Sequence, residues 1–328
     1  MTFSRRHLVL ACAAAGTLIA APAMAQGGSY PTKPISIVVS YPPGGDTDAI
    51  ARLFAEKLTQ RLKQTVIVEN KPGAGGTIGN TFVSRAAPDG YTLLFTPNPF
   101  TTAPMVMNLP ASASYDVLNG FEPVIKTAVQ PLVLVAHPSV GVKNVPELVA
   151  QAKGGKSLSY ASPGAGSPMH VLGEWLNKSA GVNLQHVAYR GVGPSVNDVV
   201  AGHVNTAWVT LGAVSQYTST GRLVPLAIGD AKRSPLAPQV PTLVEAGYKD
   251  VVVGAWNGFF APKGTPAAVV STINSHMNEI LKQPDVVQKL ATFGALPVGG
   301  EPSVLGTTNA DEYKVMSRVI KDLGIQAN

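Results

Sequence analysis

Cysteine and acidic residues are scarce in this chain, and each scarcity removes a class of protein. The single cysteine, Cys12, sits inside an apolar leader, so the rest of the chain has no disulfide and no cysteine nucleophile. Asp and Glu number only 19 against 25 Lys and Arg, a formal net charge of +6. With the leader and its Arg5 and Arg6 set aside, 23 basic residues face the same 19 acids, or +4. No window gathers the roughly five or six basic residues of a nucleic-acid or membrane stripe, so the basic pI reflects missing acids. Such a charge helps draw in an anion and does little more. Beyond the leader, no apolar stretch reaches the roughly 18 residues that a membrane helix needs. Five histidines lie there, His137, His170, His186, His203 and His276. None pairs at i, i+4 or sits among acids at metal-ligand spacing, and no Gly-x-Ser-x-Gly elbow occurs. An enzyme is therefore the remote alternative, and neither metal nor cofactor is expected.

Arg5 and Arg6 precede an apolar run from Leu8 to Ala21 that ends in Ala23-Met24-Ala25, the small-x-small pattern that signal peptidase cuts. Residues 1–25 are expected to be a cleaved signal peptide, with Gln26 opening a periplasmic chain. Ser4-Arg5-Arg6 resembles a twin-arginine signal, and Sec export stays open beside it. Too few apolar residues precede Cys12 for a lipoprotein anchor. About 300 residues remain, too many for one small core, and they imply two lobes.

Strand and helix patterns alternate along the chain. Ile35 to Ser40 is β-branched, Ile50, Leu53, Phe54, Leu58 and Leu62 form a helical stripe, and strands follow at Thr65 to Glu69 and Thr92 to Thr96. A short helix is expected at Gly79 to Ala87. This is the order of a parallel sheet with crossover helices. A second set of strands (Leu132 to Ala136, Leu158 to Ala161, Leu184 to Tyr189, Val204 to Val209, Val224 to Ile228) alternates with helices and makes a second lobe. The tail from Pro266 reads as helices without obvious strands and is assigned back to the first lobe.

The loops carry the functional signal. Tyr41-Pro42-Pro43-Gly44-Gly45-Asp46-Thr47-Asp48 lies where a strand ends and a helix begins, which is where open α/β sheets bind ligands. Its glycines let the backbone approach a guest, and the free N–H groups of the helix start favour an anion. Ala161 to Pro168 repeats the arrangement, with Ser167 as N-cap and Pro168 at the first helical position. Tyr189-Arg190-Gly191-Val192-Gly193-Pro194 adds a guanidinium that can pair bidentately with a carboxylate. An ordinary capped turn explains any one of these; three, split between two lobes, imply a cleft. Gly73 to Gly79 fails the dinucleotide fingerprint because the third glycine falls on Ile78. Gly155-Lys156-Ser157 precedes a strand and has Ala150 where a P-loop needs glycine.

Several segments together resemble the tripartite tricarboxylate transporter substrate-binding proteins, the TctC or Bug family, over nearly the whole mature length. They are Tyr30 to Ile35, the Tyr41 to Asp48 loop, Val68 to Gly76, Ala87 to Leu94, Tyr160-Ala161-Ser162, His186 to Gly191, Lys232-Arg233-Ser234 and Phe260 to Pro266. The resemblance implies a two-lobed α/β periplasmic-binding-protein fold, type II-like, each lobe a mostly parallel sheet flanked by helices. Lobe 1 is expected at 26–126 and 251–328, and lobe 2 at 127–250. It further implies a monomer that grips a small carboxylate in the cleft, binds no nucleic acid and delivers its guest to a membrane permease. Carried over by position, first-lobe contacts fall on Pro43, Gly44, Gly45, Asp46, Thr47 and Asp48, and on Thr96, Asn98, Phe100 and Thr101. Second-lobe contacts fall on Ser162, Gly166, Ser167, His170, Tyr189, Arg190 and Gly191.

The chain departs from the family at Asn205 and Val209, where acids are frequent, and at Phe100, where histidine is common. Losing both acids while gaining Phe100 and Trp208 implies an acid without an amine, with an apolar or aromatic body. The same clamp would serve a signalling partner equally well, and the residues do not separate the two uses.

Overall fold

A computed structural model describes residues 30–325, so the leader and its cleavage site lie outside the described residues. The chain enters on β1 (Ile35–Val39), whose β-branched residues are almost all buried, and turns into α1 (Asp46–Leu62). Ile50, Phe54 and Leu58 give α1 its buried stripe, and Lys63 ends it in the left-handed conformation. Then follow β2 (Val66–Asn70), α2 (Thr77–Ser84), β3 (Thr92–Pro97), α3 (Pro99–Val106) and the ten-residue β4 (Phe121–Gln130).

Pro131 is the pivot at which the chain leaves the first sheet. β5 (Leu132–Ala136), α4 (Val145–Lys153), β6 (Ser159–Ser162), α5 (Pro168–Ala180), β7 (Gln185–Ala188), α6 (Val192–Val200), β8 (Thr206–Thr210), α7 (Leu211–Ser219) and β9 (Val224–Ile228) build the second. A segment of irregular structure leads back to β10 (Ala255–Pro262), and α8 (Ala267–Leu281), α9 (Pro284–Thr292), β11 (Leu296–Pro297) and α10 (Pro302–Leu323) complete the chain.

The first sheet runs β11-β4-β10-β3-β1-β2 and the second β7-β6-β8-β5-β9. Parallel pairing holds within the βα units, β1 with β2 and β3, and β6 with β7 and β8. The remaining pairs are antiparallel, so both sheets are mixed, because β4, β5 and β10 carry the chain between lobes and must run against the βα strands. β4 and β10 are laced together: Asn257 Nδ2 donates to Gln130 Oε1 at 2.7 Å and Thr127 Oγ1 to the Asn257 carbonyl at 3.0 Å.

Alternation along strands separates the cores. On β10, Phe259 packs with Phe54 and Phe95 on one face, while Phe260 stacks on Phe100 on the other, with ring centroids 4.6 Å apart. In the second sheet, Leu134, Tyr160 and Trp208 face α4 and α5, while Val133, Val135 and Val209 face α6 and α7. Gly173 lets α5 lie against Tyr160, since a Cβ there would come within 2.2 Å of its ring. The 22 residues of α10 span about 33 Å and touch both lobes. Leu305 joins the first-lobe aromatic core, and Met316, Val319 and Ile320 join the second-lobe core.

Candidate functional site

Register places the loops before any side chain is considered. Val39 pairs with Phe95, so the loops that follow β1 and β3 emerge side by side at the carboxyl edge of the first sheet. Ala161 pairs with Ala207 and Ser162 with Ala188, so the loops after β6, β7 and β8 emerge together from the second. Two cross-lobe contacts bring these edges face to face. Thr102 Oγ1 of α3 donates to the Gly166 carbonyl at 2.8 Å, and Thr210 Oγ1 donates to Asp46 Oδ2 at 3.4 Å. No side chain caps α1, α3, α6 or α7, whose starts lie at Gly45, Asn98, Gly191 and Thr210. At α7 the Leu211 amide already donates to the Pro131 carbonyl, and at α3 Pro99 has no N–H and the Thr101 amide donates to Asn98, so the starts of α1 and α6 are the ones that keep amides for an anion.

Two carboxylates in the first turn of α1 have opposite surroundings. Asp48 is buried and shapes the loop, accepting from Gly44 N at 2.9 Å, Arg52 Nε at 3.0 Å and Asn70 Nδ2 at 2.8 Å. Burial pushes its carboxyl up, but the bonds from Arg52, Gly44 and Asn70 outweigh burial and hold it below the ordinary value. Asp46 has the Thr210 hydroxyl as its hydrogen-bond donor, at long range, and burial leaves its carboxyl above the ordinary value despite that bond. Asp48→Ala is expected to cost about 2 kcal/mol in urea unfolding, because it strands the Gly44 amide and frees the loop.

In the second lobe, Gly191 N donates to the Pro163 carbonyl and Tyr189 N to the Ser162 carbonyl, so the two glycine loops form one unit. Ser167 caps α5, accepting from His170 N at 3.2 Å. Beneath them His170 and His186 stack with centroids 3.9 Å apart, and Ser162 Oγ lies 2.7 Å from His186 Nε2. Burial lowers both rings, to about 3 for His170, aided by His186, and to about 4 for His186, so both are neutral near neutral pH. His170 Nδ1 then accepts from the Gly166 amide at 3.2 Å. Tyr189 spends its hydroxyl on Asp198, and Arg190 is exposed at the rim.

Several expected contacts are redirected. Phe100 is fully buried in the aromatic stack and Trp208 is 1% exposed among Leu134, Leu148 and Tyr160, so neither ring faces the gap. Asn98 donates to Glu312 and the Gly254 carbonyl, and Thr101 to Asn309, while Thr96 is buried, so these side chains are spent on the fold. Asn205 holds Ser159 at the amino end of the strands, away from the loops, and Val209 is core. The positions that suggested an amine-free, aromatic guest thus lie outside the site. Of the expected residues, Asp46 and Gly166 are the ones that contact the opposite lobe, against Thr210 and Thr102. Thr210 and His186 were missed; a Thr ending a strand directly before a helix was the available signal for Thr210. Among the described residues, no group of three or more His, Cys, Asp or Glu could hold a metal, and no helix is long and apolar enough to cross a membrane.

Two α/β lobes joined by crossover strands, with helix starts turned to a shared gap, define a type II periplasmic-binding-protein fold. The chain belongs to the family described as the tripartite tricarboxylate transporter family receptor, TctC, which matches residues 50–325. Protein BugT of Bordetella pertussis is 36% identical over 327 residues, 99% of each chain. An R. palustris protein solved with adipate has a TM-score of 0.83 and 30% identity, covering 91% of this chain and 100% of that one. MatC from Rhodopseudomonas palustris, solved with bound malate, has a TM-score of 0.79 and 31% identity, covering 89% and 100%. The chain is accordingly a periplasmic solute-binding receptor, not an enzyme, and its partners are the membrane permease subunits of such a transporter.

Proposed function

We propose that the protein captures a small organic carboxylate between its lobes and presents it to its permease, with backbone amides as the principal grip. The observation that carries this reading is the meeting of uncapped helix starts from both lobes at one gap, bridged by Asp46 and Thr210. Adipate and malate in two solved relatives support the ligand class. In this reading the Gly44-Gly45 loop meets the guest from the first lobe. Arg190 and the start of α6 at Gly191 meet it from the second, and Ser162, Gly166, Ser167, His170 and Tyr189 hold those loops in place. The lobes are taken as 26–126 with 251–328, and 127–250. Pro131 and the segment 229–254 carry the chain across near those limits. Cleavage after Ala25 fits the small-x-small pattern and is checked by the mass of the exported protein.

The direct test is native mass spectrometry of freshly purified protein, followed by thermal shift with organic acids. A retained acid, and a rise in melting temperature of about 3 to 5 °C at a hundredfold excess over Kd, are the expected results. Arg190→Ala should weaken binding of the retained acid by about tenfold with little change in stability, measured by calorimetry. Failure of every organic anion to move the melting temperature would sink the reading.

A further inference from the structure

We infer that Asp46 is a specificity residue, and that the guest is a monocarboxylate whose far end carries an O–H or N–H donor. This rests on the carboxylate-clamp reading and narrows it. Asp46 stands at the first position of α1 and reaches the Thr210 hydroxyl of the opposite lobe, so its side chain lies in the gap. A carboxylate accepts up to about four hydrogen bonds, and this one has a single donor at 3.4 Å. Asp48, two residues on, shows what the same loop does with an acid it means to satisfy: three donors, at 2.8 to 3.0 Å. The contrast extends to acidity, raised at Asp46 by burial and lowered at Asp48 by its partners.

An acceptor left short of donors inside a closing gap is completed by whatever the gap closes on. A hydroxyl or ammonium group supplies the missing donor, whereas a second carboxylate adds a like charge beside the first. The Gly164, Gly166 and Gly191 amides are already committed, so Arg190, exposed at the rim, and the start of α6 after Gly191 remain for the guest's own carboxylate. The side chains facing Asp46 are thus the Thr210 hydroxyl from the end of β8 and, on its own helix, the committed Asp48 with Arg52. The donor that Asp46 lacks must come from outside the protein.

The test uses acids of one length: 4-hydroxybutanoate, 4-aminobutanoate, butanoate and succinate, titrated by calorimetry into the exported protein and into Asp46→Asn. The wild type is expected to prefer a donor-bearing acid to both butanoate and succinate by about tenfold or more. Asp46→Asn should remove most of that preference, mainly by admitting succinate; whether hydroxyl or ammonium leads identifies the donor. Tighter binding of succinate by the wild type, or a variant that weakens all four acids alike, overturns the inference and leaves the clamp standing. No binding of any acid to either protein removes the clamp and this inference together.

Discussion

Trp208→Ala should lower the unfolding free energy by about 3 to 5 kcal/mol while leaving the ranking of bound acids unchanged. The indole is 1% exposed and fills the space between Leu134, Leu148 and Tyr160, so truncation leaves a cavity that the sheet and α5 cannot close. Phe100→Ala should behave in the same way, since its ring stacks on Phe260 and Tyr115 and meets Phe121 edge on. Urea unfolding measures the first quantity and competition calorimetry the second. A ring that touched the guest would give the opposite result, with affinity lost and stability little changed. The experiment therefore decides whether aromatic surface has any part in selecting the ligand.

The second large effect is a change in the pH dependence of stability that appears when one of two opposed groups is removed. At the base of the lobes, Glu312 accepts from Trp256 Nε1 and Asn98 Nδ2, and burial raises its carboxyl from 4.5 to about 7. Burial raises Asp230 nearby from 3.8 to about 6, with Lys126 pulling both back. An acid that holds its proton more tightly when folded stabilises below its ordinary value, and that stability is lost as pH rises toward 7. The stacked histidines act in the other direction. Lowered from 6.5, they stabilise above that value and lose stability as pH falls below it.

Between about pH 5 and 6.5 the two pairs oppose one another, and the wild type should melt at a nearly constant temperature there. Glu312→Gln should make stability fall on acidification through this window, by a little under about 2 kcal/mol relative to wild type. His186→Asn should make it rise. Scanning calorimetry across the window reads both slopes, and the slope is informative even if either variant is less stable throughout. Identical slopes in all three proteins would show that neither group changes its proton affinity on folding.

How much was legible follows from where each signal is stored. The βα units were readable because a β-branched run, a glycine loop and a helical stripe are all local; β5 and β9 begin and end where the sequence places them. The crossover strands were not. β4 carries Pro123 and Lys126, β10 carries Gly258 and ends in Pro262, and their pairing is antiparallel over more than a hundred residues of intervening chain. The loops between strands and helices could be placed because Gly, Ser and strand ends mark them. The direction of a single aromatic was not, because one step along a strand sends a side chain to the opposite face, as Trp208 and Val209 show. His186 and His170 are sixteen positions apart and stack only because β7 and α5 flank the same strand end, a relation that no spacing encodes.

The C-terminal helix has a mechanical meaning. A rod of fixed length, seated by Leu305 against one jaw and by Val319 and Ile320 against the other, cannot stretch when the jaws part. Opening must either peel the rod's last turns from the second jaw or swing that jaw around the rod as an axle. Peeling would expose Val319 and Ile320 to water, so the expected motion of the mouth is a twist about the rod instead of a gape.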